Sequence, residues 1–187
     1  MAVTVSPPKF SLVDFAADDI ARIADIVRNE AGLPTELDIR IEVEERSPTD
    51  RVNITSIEPL VVTVEGGAFE DPKKIRALSK ANVTDVLGVL FLQAADRLDP
   101  GFGAPELGTE LSLPHRVAWD ITAVGRLDGL GHPVQRPRRL YQFRNRHGFS
   151  DAADAVFEQL WNRRPDTWAE LVAASDGARA ASSLADG

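Results

Sequence analysis

The sequence contains no cysteine, and aromatic residues make up only 6% of it. Without cysteine, disulfides, thiolate nucleophiles and Cys-ligated metal sites are excluded. The longest strongly apolar run, residues 86–92, is far too short to cross a bilayer. The start, MAVTVSPPKF, lacks the positive region and the apolar core of a secretion signal. These absences predict a cytoplasmic protein with no membrane partner.

The charge that is present is mainly negative, since 29 Asp and Glu oppose 21 Lys and Arg, giving a net charge of −8. The composition, 43% hydrophobic and 27% charged, is that of an ordinary globular protein. Nucleic-acid-binding domains are more often basic overall, so the acidic balance disfavours a nucleic-acid partner except at a local surface.

One stretch departs from this balance. Residues 131–149, GHPVQRPRRLYQFRNRHGF, contain five arginines and no Asp or Glu. The planar guanidinium matches carboxylate and phosphate oxygens, and aromatic rings offer stacking surfaces. An extended backbone would place Arg139, Tyr141, Phe143 and Asn145 on one face. The predicted binding residues are Arg136, Arg138, Arg139, Tyr141, Phe143, Arg144, Arg146, His147 and the nearby Trp119.

A structural interpretation of the same residues stays open. The chain supplies many carboxylates, and these can pair with the arginines within the fold or across a dimer. In that case Tyr141 and Phe143 are simply core residues.

Hydrophobic periodicity predicts an α+β fold. A helix is expected over residues 11–31, begun by a capping box at Ser11. Alternating segments then predict a three-stranded antiparallel meander, and residues 83–98 predict a central apolar helix on which the meander packs. Further helices should follow. The predicted organisation is a loose segment 1–10, a single globular domain 11–175, and a flexible tail 176–187.

Local signals in the second half are mostly helix starts. Ser112 and Ser150 have the position of N-caps, and Thr167 opens a further capping box before a short last helix. Residues 115–127 fit either a helix or a strand, and both stay open.

The order helix, three strands, apolar helix over residues 11–98 resembles the minimal zincin-like metallopeptidase domain. In that family the central helix carries His-Glu-x-x-His, which binds zinc. Here it reads NVTDVLGVLFLQAADRLD, without His or Glu. The resemblance therefore implies a degenerate, metal-free domain, and no site residue can be carried over from it.

Three functional hypotheses follow. The first is a non-enzymatic protein-interaction or self-association module that uses the Arg/aromatic surface of residues 131–149. The second is binding of an anion or a single-stranded nucleic acid by the same arginines. The third is an enzyme whose cleft combines His115, Asp120 and His132 with the arginines. No cofactor and no metal is predicted, and we expect the chain not to be an enzyme.

Overall fold

The computed structural model describes residues 3–185. The chain divides into two compact units, Met1–Leu98 and Asp99–Gly187. The single domain expected over residues 11–175 stays a prediction, and each unit is described here by itself.

The unit Met1–Leu98 combines strands with two helices, and short connections join most of its elements. A 3-10 turn, Gly66–Ala68, follows the last strand of the main sheet. The elements are β1 (Val3–Ser6), α1 (Ala17–Glu30), β2 (Ile39–Glu44), β3 (Val52–Ile57), β4 (Leu60–Glu65), β5 (Glu70–Asp71), β6 (Lys74–Leu78) and α2 (Lys80–Leu98).

The main sheet is mixed, with the strand order β1-β2-β4-β3. The strands β1, β2 and β4 are parallel, and only the pair β3–β4 within this sheet is antiparallel. The predicted antiparallel meander is therefore wrong. A meander would place β3 in the middle, but the apolar residues Val52 and Ile54 of β3 are only half-buried, as is typical of an edge strand. The more apolar β4 takes the inner position and β3 becomes an edge.

The core of this unit lies between one face of the sheet and the two helices. Alternate residues of β2 and β4 point inward, and the apolar sides of α1 and α2 cover them, so the α+β class and the apolar helix after the strands are confirmed. Core residues include Ile20, Ala24, Val27, Ile39, Ile41, Leu60, Val62, Leu87 and Phe91.

The chain ends of this unit differ from the prediction. Residues 3–6, expected to be loose, pair with β2. The helix α1 begins at Ala17, not at Ser11. The backbone N–H groups of Ser11 and Leu12 each donate to the Glu45 carboxylate at 2.8 Å. The residues of the predicted capping box are thus bound to the end of β2, and these bonds lower the pKa of Glu45.

The unit Asp99–Gly187 carries the further helices that the sequence predicts. These are α3 (Leu113–Gly129), α4 (Arg136–His147), α5 (Asp151–Asn162) and α6 (Trp168–Ala185). The side chain of Ser112 accepts a hydrogen bond from the N–H of His115, and that of Ser150 from the N–H of Ala153. Both predicted N-caps are confirmed, and the helical alternative holds for residues 115–127.

The last helix is longer than predicted. Residues 176–185, expected to be flexible, continue α6, and Ala178 and Ser182 within them are buried. Residues 186–187 of the predicted tail lie outside the described residues.

Elsewhere in the unit, Trp119 packs edge-to-face on Trp168, with ring centroids 5.0 Å apart. In the part of the chain that the structure describes, no helix has the length and apolarity to span a membrane.

A candidate interaction surface on α4

The basic segment forms the helix α4, not a strand. Pro137 lies in its first turn, where the missing N–H breaks no helical hydrogen bond. Phe143 and His147, four residues apart, are both buried, which is the spacing of one helix face. The predicted face of Arg139, Tyr141 and Phe143 is therefore wrong, because a helix places Tyr141 and Phe143 far apart around its axis.

The inner face of α4 belongs to the core. The Phe143 side chain has no solvent exposure, and the His147 ring stacks on it with centroids 3.8 Å apart. The Phe143 ring also contacts Phe157 of α5, edge-to-face at 5.8 Å. These side chains hold α4 in place and cannot contact a partner. The same is true of Trp119, which is only 2% exposed.

The imidazole of His147 links α4 to α6. Its Nδ1 lies 3.0 Å from the carbonyl oxygen of Phe143, so Nδ1–H donates there. Nε2 lies 2.8 Å from the hydroxyl of Ser175 and accepts from it. A serine next to a histidine is also the geometry of an activated nucleophile, but Ser175 is fully buried and out of reach of any substrate. Burial lowers the pKa of His147, so the ring is neutral at pH 7.

Two of the arginines are paired within the unit. Arg144 makes two hydrogen bonds to Asp154 of α5, Nε to Oδ1 at 2.8 Å and Nη2 to Oδ2 at 2.5 Å. Arg144 thereby lowers the pKa of Asp154. Arg136 binds Glu158, one turn further along α5, and its guanidinium lies 5.3 Å from the Trp161 ring. For these two arginines the structural interpretation holds.

The solvent side of α4 has a different character. Arg138 and Arg146 are exposed, and neither forms an ion pair with a described residue. Between them along the helix lies Tyr141, 60% exposed. Its ring packs edge-to-face on Phe149, itself 64% exposed, with centroids 5.9 Å apart. Arg146 follows Tyr141 by five residues, about 140° around the helix axis, and so lies on another side of α4. Arg138, Tyr141 and Phe149 are called the α4 surface below.

Sequence reasoning found part of this surface and missed one member. Arg138 and Tyr141 were predicted, whereas Phe149 was not. Arg139 is half-buried and makes a contact within the chain, so it does not belong to the α4 surface. Phe143 and His147 are four residues apart, which is the spacing of residues on one helix face. This spacing is the sequence signal that distinguishes the buried face of α4 from its exposed face.

The residues of the hypothetical enzyme cleft do not form one face. His115 Nε2 lies 2.9 Å from Asp176 Oδ1, so a histidine–carboxylate pair exists, but its partner is not Asp120. Asp120 follows His115 by five residues on α3, about 140° around the helix axis. His132 lies in the connection between α3 and α4. Among the described residues, no group of three His, Asp or Glu is arranged to hold a metal ion.

Comparisons of the chain with protein-family models, with curated proteins and with solved structures found no match.

Proposed function

We propose that the chain is a protein-interaction module and that the α4 surface is its contact site. One observation carries the proposal: two large aromatic side chains lie together in solvent, and Arg138, one turn before Tyr141 on α4, has no described ion-pair partner. Tyrosine, phenylalanine and arginine are enriched at protein interfaces, and tyrosine and arginine are frequent among the residues that dominate binding energy.

The geometry of the pair favours binding. Tyr141 and Phe149 already contact each other in an edge-to-face arrangement, so little side-chain freedom remains to be lost when a partner covers them. The inner face of α4 fixes the helix through Phe143 and His147. The helix that carries Arg138 and Tyr141 is therefore anchored before a partner binds.

The chemistry of the surface indicates the chemistry of its partner. An apolar side chain would cover the two rings, and a carboxylate would meet Arg138. We therefore propose a partner protein segment that combines acidic and apolar residues.

A nucleic-acid partner is the alternative for the same arginines. Two of the five arginines of the segment are neutralised by Asp154 and Glu158, which reduces the charge that phosphates would meet. The resemblance to zincin-like domains is compatible with a binding role and stays a proposal, since it supplies no catalytic residue.

A phage-displayed library of random peptides, selected on the full chain, tests the proposal. We expect enriched peptides rich in Asp, Glu and apolar residues. Their affinity should fall about tenfold or more for Tyr141→Ser and for Arg138→Ser, as expected for residues central to an interface. Ile26→Ser and Arg163→Ser are the matched controls, because Ile26 is 52% and the Arg163 side chain 75% exposed.

Equal binding of the selected peptides to wild type and to Tyr141→Ser would overturn the proposal. A fluorescent oligo-dT strand is added as a second probe. If it binds more tightly than any selected peptide, with affinity that falls steeply as salt rises, the nucleic-acid alternative replaces the protein partner.

A further inference from the structure

The outer face of the main sheet carries an acidic concave surface. Strand alternation points Glu42 and Glu44 of β2 away from the core, next to Thr63 and Glu65 of β4. The surface encloses a volume of about 410 Å³. Its lining consists of Ser6, Glu42, Val43, Glu44, Arg51, Asn53, Thr63, Val64 and Glu65, called the acidic sheet face below.

The charges of this face are not balanced. Three carboxylates stand against the single cation Arg51 in the lining. Glu44 and Glu65 are register neighbours on adjacent strands, and like charges in that position repel each other. A cation bound between them would relieve this repulsion, so the face is suited to a basic ligand.

The same unit carries a segment of opposite character. The turn of the β5–β6 hairpin and the start of β6 read Lys73-Lys74-Ile75-Arg76, and all four side chains are exposed. Ile75 is 90% exposed, although isoleucine is among the residues most often buried. These four residues are called the basic hairpin.

The backbone of the basic hairpin is fixed in an unusual conformation. Arg76 has a φ of 64°, in the left-handed region that residues other than glycine rarely adopt. Its carbonyl oxygen accepts from the N–H of Asp14 at 2.8 Å, and its own N–H donates to Glu70 at 3.3 Å. A strained conformation persists only where its surroundings enforce it, and such positions concentrate at binding sites.

We propose that the basic hairpin of one copy docks on the acidic sheet face of a second copy. The hairpin supplies three cations for three carboxylates. The methyl group of Thr63 and the aliphatic carbons of the three glutamates in the lining provide apolar contact for Ile75. Within its own chain the hairpin does not fill this face, because Ile75 stays exposed. Every copy carries both surfaces, so reciprocal docking gives a closed two-fold dimer.

This inference is independent of the α4 surface, which lies in the other unit. It also predicts a distinct salt dependence. Copies with a net charge of −8 repel each other at long range, but a Debye length of about 8 Å at physiological salt screens that repulsion. Raising the salt further should weaken the dimer by screening its ion pairs.

Sedimentation velocity of the full chain, over a range of concentrations, tests the dimer. We expect dimerisation of wild type, and loss of the dimer both in Lys73→Glu/Lys74→Glu and in Glu42→Lys/Glu65→Lys. A one-to-one mixture of the two variants should restore a dimer, because each reversed surface then meets a complementary one. Glu36→Lys/Glu58→Lys, which reverses two exposed charges elsewhere in the unit, should dimerise like wild type.

Ile75→Ser keeps the test decisive if a charge-reversal variant fails to fold. This side chain makes little contact in the monomer, so its replacement should weaken the dimer without unfolding the chain. A monomeric wild type, a dimer that survives both Ile75→Ser and Lys73→Glu/Lys74→Glu, or a mixture that stays monomeric would overturn the proposal. A dimer lost instead in Tyr141→Ser would assign self-association to the α4 surface.

Discussion

The helix α4 and the basic hairpin both concentrate positive charge in an acidic chain, but their cations have different surroundings. In α4, Arg136 and Arg144 face the carboxylates of α5 and are paired with them. In the hairpin, Lys73, Lys74 and Arg76 are all exposed. The number of arginines in a segment therefore does not determine the charge that a partner meets. That charge also depends on whether a neighbouring element supplies carboxylates that pair with the arginines.

The same contrast holds for the apolar residues of the two regions. In α4 the aromatic residues divide between a buried face at Phe143 and an exposed one at Tyr141. In the hairpin Ile75 is exposed on its own. Substitutions should separate residues that stabilise the unit from residues that serve recognition.

The largest expected effect is on the buried face of α4. Phe143→Ala should lower the free energy of unfolding by about 3–5 kcal/mol, since it leaves a cavity at a fully buried position. Tyr141→Ala, on the exposed face, should change it by less than about 0.5 kcal/mol. Urea denaturation followed by tryptophan fluorescence measures both. Similar losses in the two variants would contradict the assignment of faces.

The next effect is a dependence of stability on pH that arises at His147. Its pKa is lowered in the folded chain by burial, opposed by the hydrogen bond to Phe143, with further effects from Arg179, His115 and Asp176. As pH falls through about 6.5, the ordinary pKa of histidine, the unfolded chain takes up a proton first. Stabilisation by the neutral ring is thus complete above that pH and is lost below it.

Denaturation curves between pH 7.5 and 5.5 measure this effect, with His147→Gln as the control. The free energy of unfolding should decrease over this range in wild type and stay flatter in the variant. Asp154, whose pKa is lowered by Arg144, loses its contribution only in more acidic solution, below about pH 4. An unchanged slope in His147→Gln would show that another group titrates.

A smaller effect should separate the arginines within α4. Arg144→Ala removes the partner of Asp154 and should lower stability slightly, far less than Phe143→Ala, because the pair is one-third exposed and screened by solvent. Arg138→Ala should leave stability unchanged within about 0.5 kcal/mol. Thermal denaturation of the two variants makes the comparison. A larger loss for Arg138→Ala would mean that its side chain supports the fold.

The smallest effect should come from the basic hairpin. Ile75→Ser should alter the free energy of unfolding by less than about 0.5 kcal/mol, since the side chain is 90% exposed. The experiment is urea denaturation at a concentration low enough to keep the chain monomeric. A clear loss of stability would indicate that Ile75 packs within its own chain.

Local signals in the sequence predicted the starts of α3 and α5, and non-local pairing was not predictable from them. Ser112 and Ser150 reach N–H groups only three residues away, so a short window contains the whole interaction. The order of strands depends on pairing between segments that are distant in sequence. The sequence of β4 is more apolar than that of β3, and this difference predicts the inner position of β4 in the sheet.

The candidate site was predictable in composition but not in geometry. Alternation of arginine with aromatic residues over 138–146 fits a strand as well as a helix, and Pro137 followed by helix-forming residues favours the helix. Pairing of Arg136 and Arg144 depends on α5, whose Asp154 and Glu158 are one turn apart. That spacing is visible in the sequence. Whether α5 packs so that these two carboxylates meet the arginines of α4 depends on the tertiary structure.

The most direct test of the account compares two arginines of α4 in binding. Isothermal titration of a library-selected acidic peptide into Arg138→Ser and Arg144→Ser measures each contribution to affinity. We expect a loss of about tenfold or more for Arg138→Ser and little change for Arg144→Ser, since Arg144 is already paired with Asp154. Equal losses, or a loss confined to Arg144→Ser, would contradict the α4 surface as the contact site.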